Sequence, residues 1–188
     1  LLAQAVKQLF PEAQVTIGPV IEDGFFYDFA YARTFTPEDL VAIEKRMGEI
    51  VKQNRPIARQ LMPKAEALGL FEAKGQTLKC ELISEKSGDP VQCYTMGEFM
   101  DFCLGPHLPS TKDIKAFKLK GEPAAAYWKG KEGNPSMQRI YGYAFFTNAR
   151  NAFCSRVPVT RRSLAASSWA SRRLTSLCRL CFSASSTF

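Results

Sequence analysis

Histidine is almost absent from this 188-residue chain, His107 being the only one. A metal site here would therefore have to draw on cysteine or carboxylate. Long apolar runs are absent too, and nothing approaches the roughly 20 unbroken apolar residues of a membrane-spanning helix. Nor does the start of the chain show the charged, apolar and small-residue order of a signal peptide. No glycine-rich phosphate loop occurs, which counts against an ATP site within these residues. The six cysteines (80, 93, 103, 154, 178 and 181) lack the tight spacing of a disulfide framework, so reduced thiols are the default. These absences fit a soluble protein of the cytoplasm, or of an organelle, with no membrane partner.

What is present suits one ordinary domain with a real core: 46% of residues are hydrophobic and 23% charged. The formal net charge of +7 is unevenly placed. Beyond Arg150 there are six arginines but no Asp, Glu, Lys or Gly, so residues 1–150 carry 19 basic against 18 acidic groups. We therefore divide the chain into a nearly neutral body, 1–150, and an irregular Ser/Arg-rich tail, 151–188. The tail reads either as a basic arm for nucleic acid or membrane, or, more sharply, as the product of a shifted reading frame or a misjudged splice.

Along the body, Leu2, Val6 and Leu9 repeat at helical spacing until Pro11. Because the run begins at Leu1, it reads as the later part of a helix with an upstream start. QVTIGPV and GFFYDF flank Glu22-Asp23-Gly24, a hairpin signal. Thr36-Pro37-Glu38-Asp39 opens a helix with a hydroxyl cap, an early proline and acids at the positive end of the dipole. Its buried stripe is Leu40, Ile43, Met47 and Ile50, and Asn54-Arg55-Pro56 ends it. A short strand (57–61), a helix (63–73, closed by Gly75) and a strand LKCELIS (78–84) should follow. VQCYT, IKAFKLK and QRIYGYAF add three β candidates, the last ambiguous with helix. The expected class is α+β, an antiparallel sheet with helices packed on one side.

The stretch DFCLGPH, residues 101–107, holds Asp101, Cys103 and His107. Gly105-Pro106 prevents a helical arrangement of the four-residue spacing, so the segment must be a shaped loop or strand end. Three chemistries are open. Cys103 and His107 could act as nucleophile and base, oriented by Asp101. They could be half of a zinc site completed by Cys80, Cys93 or carboxylates. Or His107 could serve a water or substrate hydroxyl as general acid or base, which needs the least additional machinery.

Other candidates are weaker. Lys79, on the expected strand, could stabilise developing negative charge if it faced a cleft, although a strand lysine is more often exposed. Tyr27 and Asp28 lie in an aromatic strand whose Phe25 and Phe29 should be core. AAAYWKG (124–130) and MQRIY (137–141) mix aromatic and basic residues as a nucleic-acid face would, but the neutral body argues against a broad phosphate-binding surface.

Together, IGPVIEDGFFYDF (17–29), FTPEDL with EKRM (35–40 and 44–47), CLGPHLPST (103–111), IKAFKL (114–119), AAYWKG (125–130) and MQRIYGYAF (137–145) resemble the editing domain of threonyl-tRNA synthetase. This is the second additional domain, shared with alanyl-tRNA synthetase. The resemblance implies an α+β module that hydrolyses mischarged seryl-tRNA(Thr), with tRNA(Thr) and its acceptor end as partner and a homodimeric parent enzyme. It implies catalytic roles for His107, Cys103, Asp101 and Lys79, with Tyr27 and Gly105 on the substrate side. No cofactor is expected in these residues, since ATP, magnesium and zinc belong to the family's synthetic core, expected after Arg150. A His-x-x-x-His helix would stand immediately before Leu1, and Leu104 replaces the arginine usual after the cysteine. The chain by itself should therefore be a poor deacylase.

Overall fold

The computed structural model describes residues 1–22 and 24–145. The anticipated tail, 151–188, the question of its reading frame and the boundary at 150 lie outside the described residues.

Helix α1 (Leu2–Leu9) buries Leu2, Ala3, Ala5 and Val6. The expected stripe stops there, because Leu9 in the last turn is 39% exposed where the helix runs off the core. The next apolar run divides at Gly18-Pro19 into β1 (Gln14–Val15) and β2 (Val20–Ile21), both antiparallel to β3 (Gly24–Ala30). Ile21 stands opposite Gly24, so the hairpin forms at the expected place. Gly18 lies against the Tyr27 ring, where an added Cβ would come within 2.1 Å of it.

Helix α2 (Pro37–Lys52) begins with a full capping box. The Asp39 amide donates to Thr36 Oγ1 at 3.3 Å and the Thr36 amide donates to Asp39 Oδ2 at 2.8 Å. Such a cap contributes about 1 kcal/mol. Leu40, Ile43, Met47 and Ile50 are its buried residues, as their spacing predicts. Strand β4 (Ala58–Met62) and helix α3 (Lys64–Ala73) follow.

LKCELIS departs from expectation, forming helix α4 (Thr77–Lys86) rather than a strand. Its buried residues are Lys79, Leu82 and Ile83, an i, i+3, i+4 set. Alternation of Leu78, Cys80 and Leu82 mimics a strand, and the helical stripe is hidden because one of its members is a lysine.

The remaining strands are β5 (Val91–Met96), β6 (Phe99–Phe102), β7 (Ala116–Leu119), β8 (Ala124–Tyr127) and β9 (Ser136–Phe145). QRIYGYAF is thus strand. The described residues form a six-stranded antiparallel sheet, in which β1, β3, β9 and β7 lie side by side with β2 on β3 and β8 on β9. A separate sheet has the order β4-β5-β6. The class is α+β, with two sheets in place of the single one anticipated.

Each helix pair has its own core. Val6, Ile43, Met47 and Ile50 of α1 and α2 pack with Val15, Phe29, Phe35, Leu119 and Ile140. Phe71, Leu82 and Ile83 of α3 and α4 pack with Val91, Trp128 and Met137. Met137 and Ile140 are three apart on β9 and so face opposite ways. That strand is the wall common to both cores, and helices cover the sheet on two sides rather than one.

Candidate functional site

The site lies where the two sheets meet. Asp101, on β6, stands opposite Tyr94 of β5. Its Oδ1 pairs with Lys79 Nζ at 2.8 Å and accepts from the Phe102 amide at 2.9 Å. Its Oδ2 accepts from the Tyr27 hydroxyl at 2.8 Å. The Lys79 ammonium also donates to the Thr16 carbonyl at 2.6 Å and to the Tyr27 hydroxyl at 3.4 Å. Tyr27 comes from β3, Lys79 from α4 and Asp101 from β6, so three separate elements meet on one carboxylate.

This cluster differs from the expected site in two respects. Lys79 is a buried helix residue, 1% exposed, not an exposed strand lysine. Its three N–H bonds have three acceptors, which leaves none for a developing oxyanion. Asp101 holds Lys79 and Tyr27 rather than the imidazole, so it does not orient His107 as the third member of a Cys–His–Asp set. Burial first, and the Asp101 carboxylate second, push the Tyr27 phenol well above its usual pKa. Tyr27 is therefore a neutral donor at all physiological pH.

Beyond Phe102 the chain leaves β6 as the expected loop. Its far end is clamped: the Ile57 amide donates to the Pro109 carbonyl at 2.9 Å, the Thr111 amide to the Arg55 carbonyl at 3.0 Å, and Thr111 is fully buried. Its near end is held from β5, where Gln92 Nε2 donates to the Leu104 carbonyl at 2.7 Å and to the Tyr94 hydroxyl at 3.1 Å. Gly105 has φ +68°, and a Cβ there would lie 2.1 Å from the Tyr94 hydroxyl. Only glycine meets both conditions. The Tyr94 ring meets the His107 ring edge-on, with centroids 4.3 Å apart.

Cys103 Sγ accepts from the Gly105 amide at 3.4 Å. Burial raises the thiol pKa and that hydrogen bond only partly offsets it. Cys103 is thus a protonated thiol at neutral pH, not a thiolate nucleophile. His107 is exposed on the loop rim. Partial desolvation, then the nearby positive α-amino group of Leu1, lower its pKa, while Asp101 acts the other way. Burial also pulls the Leu1 amino group from 8.0 to about 6, against the attraction of Asp101. The head of α1, His107 and Asp101 therefore share one electrostatic neighbourhood.

Among the described residues His107 forms no hydrogen bond to Cys103, so a preformed thiol–imidazole dyad is not what the loop presents. The cysteines considered as further metal ligands are elsewhere. Cys93 is buried in the second core, its thiol pushed up to about 11 by burial, and the Cys80 thiol donates to the Leu68 carbonyl at 3.7 Å. No group of three or more His, Cys, Asp or Glu side chains among the described residues is placed to hold a metal ion. What the arrangement offers is a neutral imidazole with a free edge, beside a protonated thiol, above a rigid charged cluster.

The aromatic and basic stretches are spent internally. Trp128, 3% exposed, donates through Nε1 to Glu81 at 3.0 Å, and Lys129 pairs with Glu81 and Glu85. Arg139 forms a two-pronged pair with the buried Asp28 at 2.7 and 2.8 Å. Gln92 and Tyr94 escaped sequence reading. Their signal was alternation in VQCYT, where Val91 and Cys93 face the core and Gln92 and Tyr94 the loop.

The class of this domain is recognisable from sequence comparison. Residues 91–141, which run from β5 through the loop into β9, match the threonyl and alanyl tRNA synthetase second additional domain. Those residues carry the likeness to that class.

More particularly, it is a relative of threonine–tRNA ligases. It is 55% identical over 148 residues to that of Polaromonas naphthalenivorans, covering 78% of this chain and 23% of the relative. The corresponding proteins of Polynucleobacter asymbioticus and of Janthinobacterium sp. are each 55% identical over 146 residues, covering 77% of this chain and 23% of theirs. The chain thus spans about a quarter of the length of these relatives. Among the described residues no helix is long and apolar enough to cross a membrane.

Proposed function

We propose that the loop at 103–107 is one half of a hydrolytic site for misacylated tRNA, the substrate being a seryl ester on the acceptor end of tRNA(Thr). Serine and threonine differ by one methyl group, which a synthetic pocket discriminates by only about 1–3 kcal/mol. A second site that accepts the smaller amino acid supplies the missing accuracy. His107, kept neutral at pH 7, takes a proton from water as that water attacks the ester carbonyl. The same proton then goes to the departing ribose oxygen, leaving free serine and a free tRNA end.

Cys103 acts as a protonated wall of the pocket. Lys79, Tyr27 and Asp101 hold the loop's base and do not touch the reacting atoms. The other half of the site comes from residues that would precede Leu1 on α1.

One observation carries this reading: the first turn of α1 is tied to the strand that backs the His107 ring, Gln4 Nε2 donating to the Met96 carbonyl at the end of β5 at 3.2 Å while Tyr94 of the same strand meets the imidazole. A helix extended backwards by a turn would deliver its side chains to the exposed imidazole. The test is deacylation of seryl-tRNA(Thr) by this chain with and without an added N-terminal helical segment taken from a threonine–tRNA ligase. The extended chain should hydrolyse seryl-tRNA and spare threonyl-tRNA, the unextended one should be slow, and His107→Ala should abolish turnover in both. Equal rates with and without the extension, or activity indifferent to His107→Ala, would overturn it. A tRNA-binding module without catalysis is the alternative favoured by the saturated state of Lys79, and tRNA binding with no turnover even in the extended chain would identify it.

A further inference from the structure

A groove of about 430 Å³ runs between α2 and β7, away from the His107 loop. Val51, Ile114 and Phe117 give it an apolar lining, and Lys52 and Lys115 stand exposed along it. Its acid, Glu44, is already occupied: Lys118 Nζ pairs with Oε1 at 2.6 Å and the Leu119 amide donates to Oε2 at 2.8 Å. The charge left over in the groove is therefore positive. Among the described residues neither Lys52 nor Lys115 forms an ion pair with an acid, Lys52 acting on Glu49 only at longer range, and the Lys115 ammonium donates to the Lys112 carbonyl at 3.2 Å.

A second observation is independent of charge. Gly48 lies in the interior of α2 and lines the groove. Mid-helix glycine is unfavourable relative to alanine, and its usual reasons are missing, because a Cβ at Gly48 would meet nothing within 4 Å. Gly69 inside α3 is equally open, but Gly48 is the one that lines the groove, where a chain laid along it would gain close approach to the helix.

We propose that the α2–β7 groove is a docking surface for the phosphodiester backbone of RNA, with sugars on the apolar lining, phosphates at Lys52 and Lys115, and the strand passing over Gly48. The groove is joined to the loop by a short connection. From His107 to Lys115 is eight residues, a span of at most about 29 Å even if fully extended. This surface is separate from the hydrolytic site and does not need that site to be active. It rests on the proposed function only in taking RNA as the partner.

Binding of uncharged tRNA(Thr) transcript to the full 188-residue chain, followed by fluorescence anisotropy over a range of salt, tests it. The probes are the transcript and, as competitor, hexaglutamate. Lys52→Glu with Lys115→Glu should weaken binding by about tenfold at low salt and reduce the salt slope by about 1.4, the value for two single-strand phosphate contacts. Gly48→Leu should weaken binding several-fold while leaving the melting temperature unchanged or higher, which separates a blocked groove from a damaged fold. Lys131→Ala, outside the groove lining, should change little, and because the uncharged transcript carries no ester to hydrolyse, a failure of the hydrolytic reading is seen separately. Binding within twofold of the parent in both the charge-reversed and Gly48→Leu chains, or displacement of the transcript by hexaglutamate at equal charge concentration, would overturn the proposal.

Discussion

Asp101 and His107 are six residues apart, yet they live under opposite physical regimes. Around Asp101 every charged or polar atom is matched: Lys79 has three acceptors and the carboxylate has three donors. Around His107 almost nothing is matched, and the ring is fixed by an edge-on aromatic contact and by the clamping of the backbone on either side. Saturation gives the first group rigidity and removes it from chemistry. Incompleteness leaves the second free to take a proton. A loop built this way keeps its open imidazole on a rim and its charges in the foundation.

The largest expected effect is on the foundation. Asp101→Ala strands the Lys79 ammonium, 1% exposed, with only the Thr16 carbonyl and the Tyr27 hydroxyl. Breaking a buried pair from one side costs about 3–5 kcal/mol, read as a lower midpoint in urea denaturation. His107→Ala, on the exposed rim, should change stability by no more than about 0.5 kcal/mol. Equal losses from the two substitutions would erase the distinction. The double substitution Lys79→Met with Asp101→Leu should recover much of the loss, since an apolar pair of similar volume removes the stranded charge.

Next is the link between the two regions. Gly105→Ala forces a left-handed backbone on alanine and pushes a methyl toward the Tyr94 hydroxyl, a cost of about 1–3 kcal/mol. Tyr94→Phe removes that hydroxyl and the Gln92 hydrogen bond but keeps the ring against His107. Combined with Gly105→Ala it should restore part of the stability, measured as a non-additive double-mutant cycle. Strict additivity would show that the hydroxyl is not the obstacle.

The comparison also shows what a sequence can carry. The α2 stripe Leu40, Ile43, Met47 and Ile50 was legible because it is apolar, evenly spaced and capped by Thr36. The loop at 103–109 was legible because Gly-Pro forbids helix. Lys79 was misread twice, as strand and as exposed, for one reason: its burial is decided by Asp101 and Thr16, which are 22 and 63 residues away, and no local pattern encodes such partners. Trp128 and Lys129 looked like a ligand face for the same reason, their partners Glu81 and Glu85 lying on another element. Of the candidate site, the residue types were readable and the division of labour among them was not.

The smallest expected effects concern protons, and the single histidine makes them measurable. His107 should titrate below the ordinary imidazole value of about 6.5, its ring proton being the only histidine signal in the NMR spectrum. The sign for stability follows. A base with a lowered folded pKa binds fewer protons when folded, so its contribution is complete above pH 6.5 and is lost as pH falls through the folded value. The Leu1 amino group contributes likewise between pH 8 and about 6. His107→Gln should flatten stability against pH only in the lower window, and N-terminal acetylation only in the upper one. Acetylation should also raise the His107 midpoint, because it removes the positive charge that depresses it. An unchanged midpoint would place the head of α1 out of reach of the imidazole, and with it would go the proposed contribution of that helix to the His107 loop.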